Sequence, residues 1–250
     1  MSDYLLVSGV GMGGWAWDQM WGYLTAPVES PPRLYQRRPV GKVVSINLAG
    51  STGRDINPKI TPEESVAAMG SVIKANGLQD LVLVGHEVAA PFVLKAAAAM
   101  DTPARGIVLV SGVIPTEGGS PLSAFPFPLR LAFSMMTALN GYGNKGFKLP
   151  KPVITNVLCS GLEPTEIIKA LGLFRPVPVA MLKSKVSLRD VDLPCPVTYV
   201  VLTQDRLLSV HRQREMARRL GDVRLVHLEA CHAAMLHRPK ELAEILLRFA

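Results

Sequence analysis

Leu81-Val82-Leu83-Val84-Gly85-His86-Glu87-Val88-Ala89-Ala90-Pro91-Phe92-Val93 decides how this chain is read. Residues 81–84 are apolar, half of them β-branched, and too few for a helix, so they predict a strand buried on both faces. Gly85 should end that strand. From Ala89 the apolar positions Phe92, Val93, Leu94 and Ala97 predict a helix reaching about Met100. A strand, a sharp Gly-x-X-x-small turn and a helix leave the central side chain standing above the sheet. The small residues are required because strand and helix pass too close for a larger substituent. Serine usually holds the central position of such a turn. Here it is Glu87.

Upstream, Tyr4-Leu5-Leu6-Val7 is a first strand, running into Ser8-Gly9-Val10-Gly11-Met12-Gly13-Gly14-Trp15-Ala16-Trp17. Gly9, Gly11 and Gly14 formally satisfy the G-x-G-x-x-G pattern of dinucleotide sites, but that pattern also needs an acid at the end of the second strand. Residues 43–48 offer only Asn47. The competing reading is an oxyanion loop, with a backbone N–H near Val10 turned into the site. Residues 30–41, with three prolines and three arginines, read as an exposed excursion. Residues 62–76 predict a helix with a Thr cap, an early Pro and early acids. Residues 106–110 are a further strand, closed by Ser111-Gly112. Downstream, residues 196–202 resume the strands, 209–219 form a helix, 223–228 the last strand and 239–249 the last helix. This order predicts a doubly wound, mostly parallel α/β sheet.

Between Pro115 and about Arg189 the pattern changes. Prolines recur, mixed with Phe125, Phe127, Phe133, Met135, Met136 and Met181, and short helices are expected at 129–139 and 164–172. The division expected is therefore a core of residues 1–114 and 190–250 with a helical cap at 115–189, supplying an apolar pocket wall.

Of the 250 residues, 48% are hydrophobic and 19% charged, which fits a folded domain with a full-sized core. No apolar run approaches the roughly 18 residues of a membrane span, and no basic leader precedes the first strand. Cys159, Cys195 and Cys231 are too few and unpatterned for a disulfide framework or a zinc site. A cytoplasmic location, no metal, no cofactor and no membrane partner are expected. The net charge of +7 arises from scattered basic residues without aromatic interleaving, so no nucleic-acid partner is expected either. The partner is a small molecule; the assembly state stays open, a homodimer included.

Glu87, Asp205 and His232 each follow a predicted strand, where open α/β sheets build their sites. Their chain order is that of the α/β-hydrolases. The chain resembles that family over its whole length, nearest the branch of plant methyl-esterases and hydroxynitrile lyases with their bacterial relatives. The resemblance is carried by residues 7–17 and 84–89, by Leu202-Thr203-Gln204-Asp205-Arg206, and by Cys231-His232-Ala233-Ala234-Met235-Leu236-His237-Arg238-Pro239. It implies His232 as acid or base, Asp205 as its orienter, and the N–H groups of Val10 and Val88 as oxyanion donors. Gly9, Met12, Trp15, Phe133, Met136, Tyr142 and Met235 are the pocket candidates. His86 is read as structural support; His211, His227 and His237 as surface or strand residues. Two departures stand out: Ser8 where the family has histidine, and Glu87 where it has serine.

A serine triad needs a neutral histidine. With carboxylates on both sides, His232 is expected to hydrogen-bond each and to be cationic, which removes ordinary acyl-serine chemistry. Three readings remain. The first in order is acid/base chemistry by Glu87 and His232 on a small-to-medium apolar carbonyl, ester or lactone, by hydrolysis or by a lyase, cyclase or isomerase step. The alternatives are a covalent glutamate of epoxide-hydrolase type, and a non-catalytic ligand-binding member of the fold.

Overall fold

The structure is a computed structural model and describes residues 1–26, 39–52, 55–140, 146–189 and 191–249. Its strands are β1 (Ser2–Val7), β2 (Val40–Ile46), β3 (Ser51–Thr52), β4 (Asp55–Ile56), β5 (Val82–His86), β6 (Gly106–Val110), β7 (Val197–Leu202) and β8 (Arg224–Leu228). Six of them form one sheet in the order β2-β1-β5-β6-β7-β8, and every neighbouring pair is parallel. β3 and β4 make a separate two-residue antiparallel ladder. The strands β1, β5, β6 and β7 are buried along their whole length, consistent with the apolar runs at their centres and with parallel strands covered on both faces. The edge strands β2 and β8 are more open. This is the doubly wound parallel sheet expected from the sequence.

The chain runs out from β1 to the edge at β2, then returns past β1 to β5 and continues the other way. The order therefore reverses between β1 and β5, and the loops leaving those two strands part at their carboxyl ends, where such sheets bind ligands. β5 runs two residues past the expected end at Val84. Gly85 lies inside both ladders, opposite Val7 and Leu109. It is there for packing: a Cβ would lie 3.1 Å from Val93 Cγ2 and 3.2 Å from Ala90 Cα on the crossing helix.

The helices are α1 (Asp18–Thr25), α2 (Pro62–Asn76), α3 (Ala90–Ala98), α4 (Phe127–Asn140), α5 (Lys151–Val153), α6 (Pro164–Leu173), α7 (Val179–Lys183), α8 (Val210–Arg218), α9 (Ala234–His237) and α10 (Pro239–Leu246). α2 has the expected bounds because its ends are chemically marked. Thr61 and Glu64 form a reciprocal capping box, and Gly77 closes the helix at φ 55°. α3 is apolar almost all round, with seven of nine residues buried, since it lies under the sheet turn.

Between β6 and β7 come a short 3-10 turn (Pro121–Ala124) and helices α4 to α7. The two expected helices are present as α4 and α6; α5, continued by the π turn Ile154–Leu158, and α7 are additions. Three- and five-residue helices beside Pro150, Pro152 and Pro178 are too short to leave a period in the sequence. Among the described residues no helix is long and apolar enough to cross a membrane.

Candidate active site

Glu87 begins a 3-10 turn (Glu87–Ala89) directly after β5, with φ +52°, a region that non-glycine residues enter at a cost of about 1–2 kcal/mol. The cost is sustained because the turn aims the side chain across the sheet end and not along it. Only 4% of Glu87 is exposed. Its Oε2 accepts the backbone N–H of Val10 at 2.6 Å, and the N–H of Val88 also acts on the carboxyl. The carboxyl lies so close over Gly9 that a Cβ there would land on Oε2, and would be 2.8 Å from Glu87 Cβ. Burial raises the Glu87 pKa above the usual carboxylate range, against the opposing pull of the His232 charge and the two N–H groups.

His232, 1% exposed, follows β8 in a short loop before α9. Its Nδ1 lies 2.8 Å from Asp205 Oδ2. Asp205 is fixed on its other sides as well: Oδ1 accepts Leu207 N–H at 2.7 Å and Leu208 N–H at 3.0 Å, and Oδ2 accepts the Ser111 hydroxyl at 2.7 Å. Burial alone would raise the Asp205 pKa, but the His232 charge and hydrogen bond, with Ser111 and Leu208, bring it below its ordinary value. For His232 burial acts downward, yet the Asp205 charge and hydrogen bond, with the Glu87 charge, carry it above 6.5. These contacts shift His232 toward the imidazolium form relative to a free imidazole, the direction expected from two nearby carboxylates.

One geometric expectation is corrected. His232 was expected to hydrogen-bond both carboxylates, but among the described residues it bonds only Asp205. The physical reason is competition: two backbone donors hold the Glu87 carboxyl against the loop after β1, and the φ of +52° aims it there. Val10 and Val88 sit where donors were expected, and both point at Glu87.

The supports come from residues with different degrees of sequence signal. His86, fully buried, places Nε2 3.1 Å from the His232 carbonyl oxygen and packs its ring 4.7 Å from the His232 ring. Burial lowers its pKa to about 3, so it is neutral and supports the loop, as read from the sequence. Ser8, in place of histidine, accepts Trp17 Nε1 at 2.8 Å and donates to the Gly13 carbonyl at 2.7 Å, which closes the first loop on itself. Ser111 was missed as a site residue. Its only sequence signal was a small polar residue directly after a strand; the structure places it at φ +45°.

Of the pocket candidates, Gly9 lies against Glu87 and Met12 is buried in the same loop. Trp15 packs edge-on to Phe174, with ring centroids 5.7 Å apart. It also lines a cavity of about 260 Å³ with Asp18, Glu166, Lys169 and Leu236, away from Glu87. Phe133 stacks on Phe125 and meets Phe147, so it belongs to an aromatic cluster within residues 121–149. Met235 is fully buried. Tyr142 and the Met136 side chain lie outside the described residues. Residues 146–177 do reach the first loop: Arg175 N–H donates to the Gly11 carbonyl at 2.9 Å, and a Cβ on Gly11 would meet Phe174 and Leu149. Among the described residues no group of three His, Cys, Asp or Glu could hold a metal ion.

The alpha/beta hydrolase family profile matches residues 4–245. The chain belongs to the alpha/beta hydrolase family. Its relatives include a protein of Arabidopsis thaliana named "Putative methylesterase 14, chloroplastic", 24% identical over 261 residues that cover all of this chain and 72% of that protein. Among solved structures, an extracellular alpha/beta-hydrolase of a Paenibacillus species, described as sharing structural and functional homology with tobacco salicylic acid binding protein 2, has a TM-score of 0.86 at 20% identity, covering 100% of this chain and 99% of that one. An Arabidopsis methylesterase structure has a TM-score of 0.71 at 19% identity, covering 99% and 98%. Likeness at these identities establishes the alpha/beta hydrolase fold.

Proposed function

We propose that this alpha/beta hydrolase is a hydrolase of small-to-medium apolar esters, lactones or epoxides, with Glu87 as a covalent nucleophile in the place of the family serine. The observation that supports this over direct acid/base partnership is the 2.6 Å hydrogen bond from Val10 to Glu87 Oε2, with no hydrogen bond from Glu87 to His232 among the described residues. In this reading Glu87 and His232 rest as a carboxylate and an imidazolium. The free carboxylate oxygen attacks an alkyl carbon of the substrate. The carbon–oxygen bond breaks, and the leaving oxygen takes a proton from His232 Nε2. His232, now neutral and held by Asp205, takes a proton from water, which attacks the Glu87 carboxyl carbon. The negative charge of that tetrahedral intermediate falls on Oε2, already on the Val10 and Val88 donors. Collapse releases the alcohol and restores the carboxylate. Residues 115–189 act as the cap that gives the substrate its apolar surroundings.

The names of the methylesterase relatives make a methyl ester of a small apolar acid the first substrate to try, with a terminal epoxide beside it. Hydrolysis in ¹⁸O-water tests the mechanism. Attack by Glu87 at the methyl carbon leaves the acid product unlabelled and yields an adduct on the Glu87 peptide, which a His232→Ala variant accumulates. Label in the acid product, with no adduct, refutes the covalent path. That outcome supports the acid/base reading, which the raised pKa of Glu87 favours because a protonated carboxyl is an acid and not a nucleophile. Ligand binding without any product would leave only the binding-module reading.

A further inference from the structure

The outer face of α4 carries three of the nine exposed large hydrophobic side chains among the described residues. Phe127, Leu131 and Met135 are 65%, 48% and 57% exposed, and four-residue spacing puts them in one stripe along the helix. The inner face of the same helix is spent on packing: Phe133 stacks on Phe125 at 5.7 Å and meets Phe147, and Thr137 is buried. Three large apolar side chains in a row on a helix already anchored by its other face form a patch and not scattered exposure.

The segment that carries the stripe is also the basic part of the sequence. Residues 115–189 hold nine Lys and Arg against three Glu, so a segment of 75 residues carries +6 of the chain's +7. Arg130 lies on α4 itself, its guanidinium 5.5 Å from the Phe127 ring. The 3-10 turn Pro121–Ala124 packs against both α4 and α7, which brings the exposed Lys183 and Lys185 to the same part of the molecule. A partner protein or second copy would need an acidic counter-surface. Outside 115–189, acidic and basic residues nearly balance, so the rest of the chain offers no net negative charge to attract a second copy.

We propose that α4 is a peripheral docking surface for an anionic lipid membrane, with Phe127, Leu131 and Met135 inserted at the headgroup boundary and Arg130, Lys183 and Lys185 facing the negative surface. An amphipathic helix with an apolar stripe and cationic flanks binds this way, each basic group adding about fivefold in affinity near an anionic surface. The expectation of no membrane partner rested on the lack of a spanning segment, which a peripheral contact does not need. The inference is independent of the reaction proposed for Glu87.

Co-sedimentation of the full chain with vesicles tests it. The protein should pellet with phosphatidylcholine vesicles containing about 30% phosphatidylserine and stay in solution with phosphatidylcholine alone, with binding falling as salt rises. Phe127→Ser, Leu131→Ser and Met135→Ser combined should weaken binding more than tenfold with unchanged circular dichroism, since all three side chains point outward. Arg130→Glu with Lys183→Glu and Lys185→Glu should weaken it comparably with the stripe intact. No pelleting with anionic vesicles overturns the proposal, as does equal binding to both vesicle types or indifference to the stripe variants. So does light scattering that shows a dimer which the triple serine variant splits, because the stripe would then serve a second copy.

Discussion

A single methyl group at Gly9 tests the arrangement of Glu87 directly. Gly9 lacks the positive φ that would make alanine strained in itself, so the effect of Gly9→Ala comes from space alone. The added Cβ lands on Glu87 Oε2 and sits 2.8 Å from Glu87 Cβ and 3.0 Å from His86 Nδ1. The carboxyl has to leave the Val10 N–H, and a charge-assisted hydrogen bond of this kind contributes about 1.5–3 kcal/mol. At about 2–4 °C per kcal/mol for a domain of this size, Tm should fall by about 3–12 °C. Turnover should fall by about 10²- to 10³-fold, as when an oxyanion donor is lost. Circular dichroism melts of four proteins decide the matter: the parent, Gly9→Ala, Glu87→Gly, and the double variant. Glu87→Gly removes both clashing atoms and places glycine at φ +52°, where it is at ease. The double variant should therefore regain at least about 1 kcal/mol relative to the sum of the single changes. Additive effects, or a Gly9→Ala protein as stable as the parent, would refute the placement of the Glu87 carboxyl on the first loop.

Ser111→Ala should cost about 1.5–3 kcal/mol of stability in urea unfolding, because it removes a buried hydrogen bond to the charged Asp205, and the Asp205 pKa should rise, moving acid unfolding to higher pH. Two of the buried groups, His232 and Asp205, give the pH dependence of stability opposite slopes. The raised folded-state pKa of His232 means that its stabilising contribution is complete below the unfolded value of 6.5 and is lost as pH rises through the folded value. The depressed Asp205 pKa gives a contribution present above 3.8 and lost as pH falls through the folded value. Asp205→Asn should flatten the alkaline limb in melts recorded from about pH 6 to 9; an unchanged limb would show that His232 does not titrate as its contacts require.

The sheet was legible because its strands contain short apolar runs, though their ends were less so, and the helix α2 because Thr61, Pro62 and Gly77 mark its boundaries. Glu87, Asp205 and His232 were legible for a related reason: each directly follows a strand, so topology alone brings them to one end of the sheet. What strand position cannot convey is which of several donors a flexible carboxylate will choose. The expected contact between Glu87 and His232 lost to the backbone of Val10, a residue 77 positions away. Ser111 and the link from Trp17 to Ser8 were hidden because their meaning lies in contacts that only folding creates. The small helices α5 and α7 were hidden by length.

The bond from Arg175 N–H to the Gly11 carbonyl has a consequence for anyone who would re-engineer this protein. Gly11 is the neighbour of Val10, and its φ of +73° with the side chains of Phe174 and Leu149 pressed over it leaves the peptide little freedom. Residues 146–177 and the Val10 N–H are thus one mechanical part. Exchanging residues 146–177 for those of a relative would re-aim the Val10 N–H and loosen Glu87, so a graft intended to change which molecule is admitted would also alter the reactivity of the group that meets it. Under the reaction proposed for Glu87, specificity and catalytic geometry would have to be redesigned together, with position 11 as the joint between them.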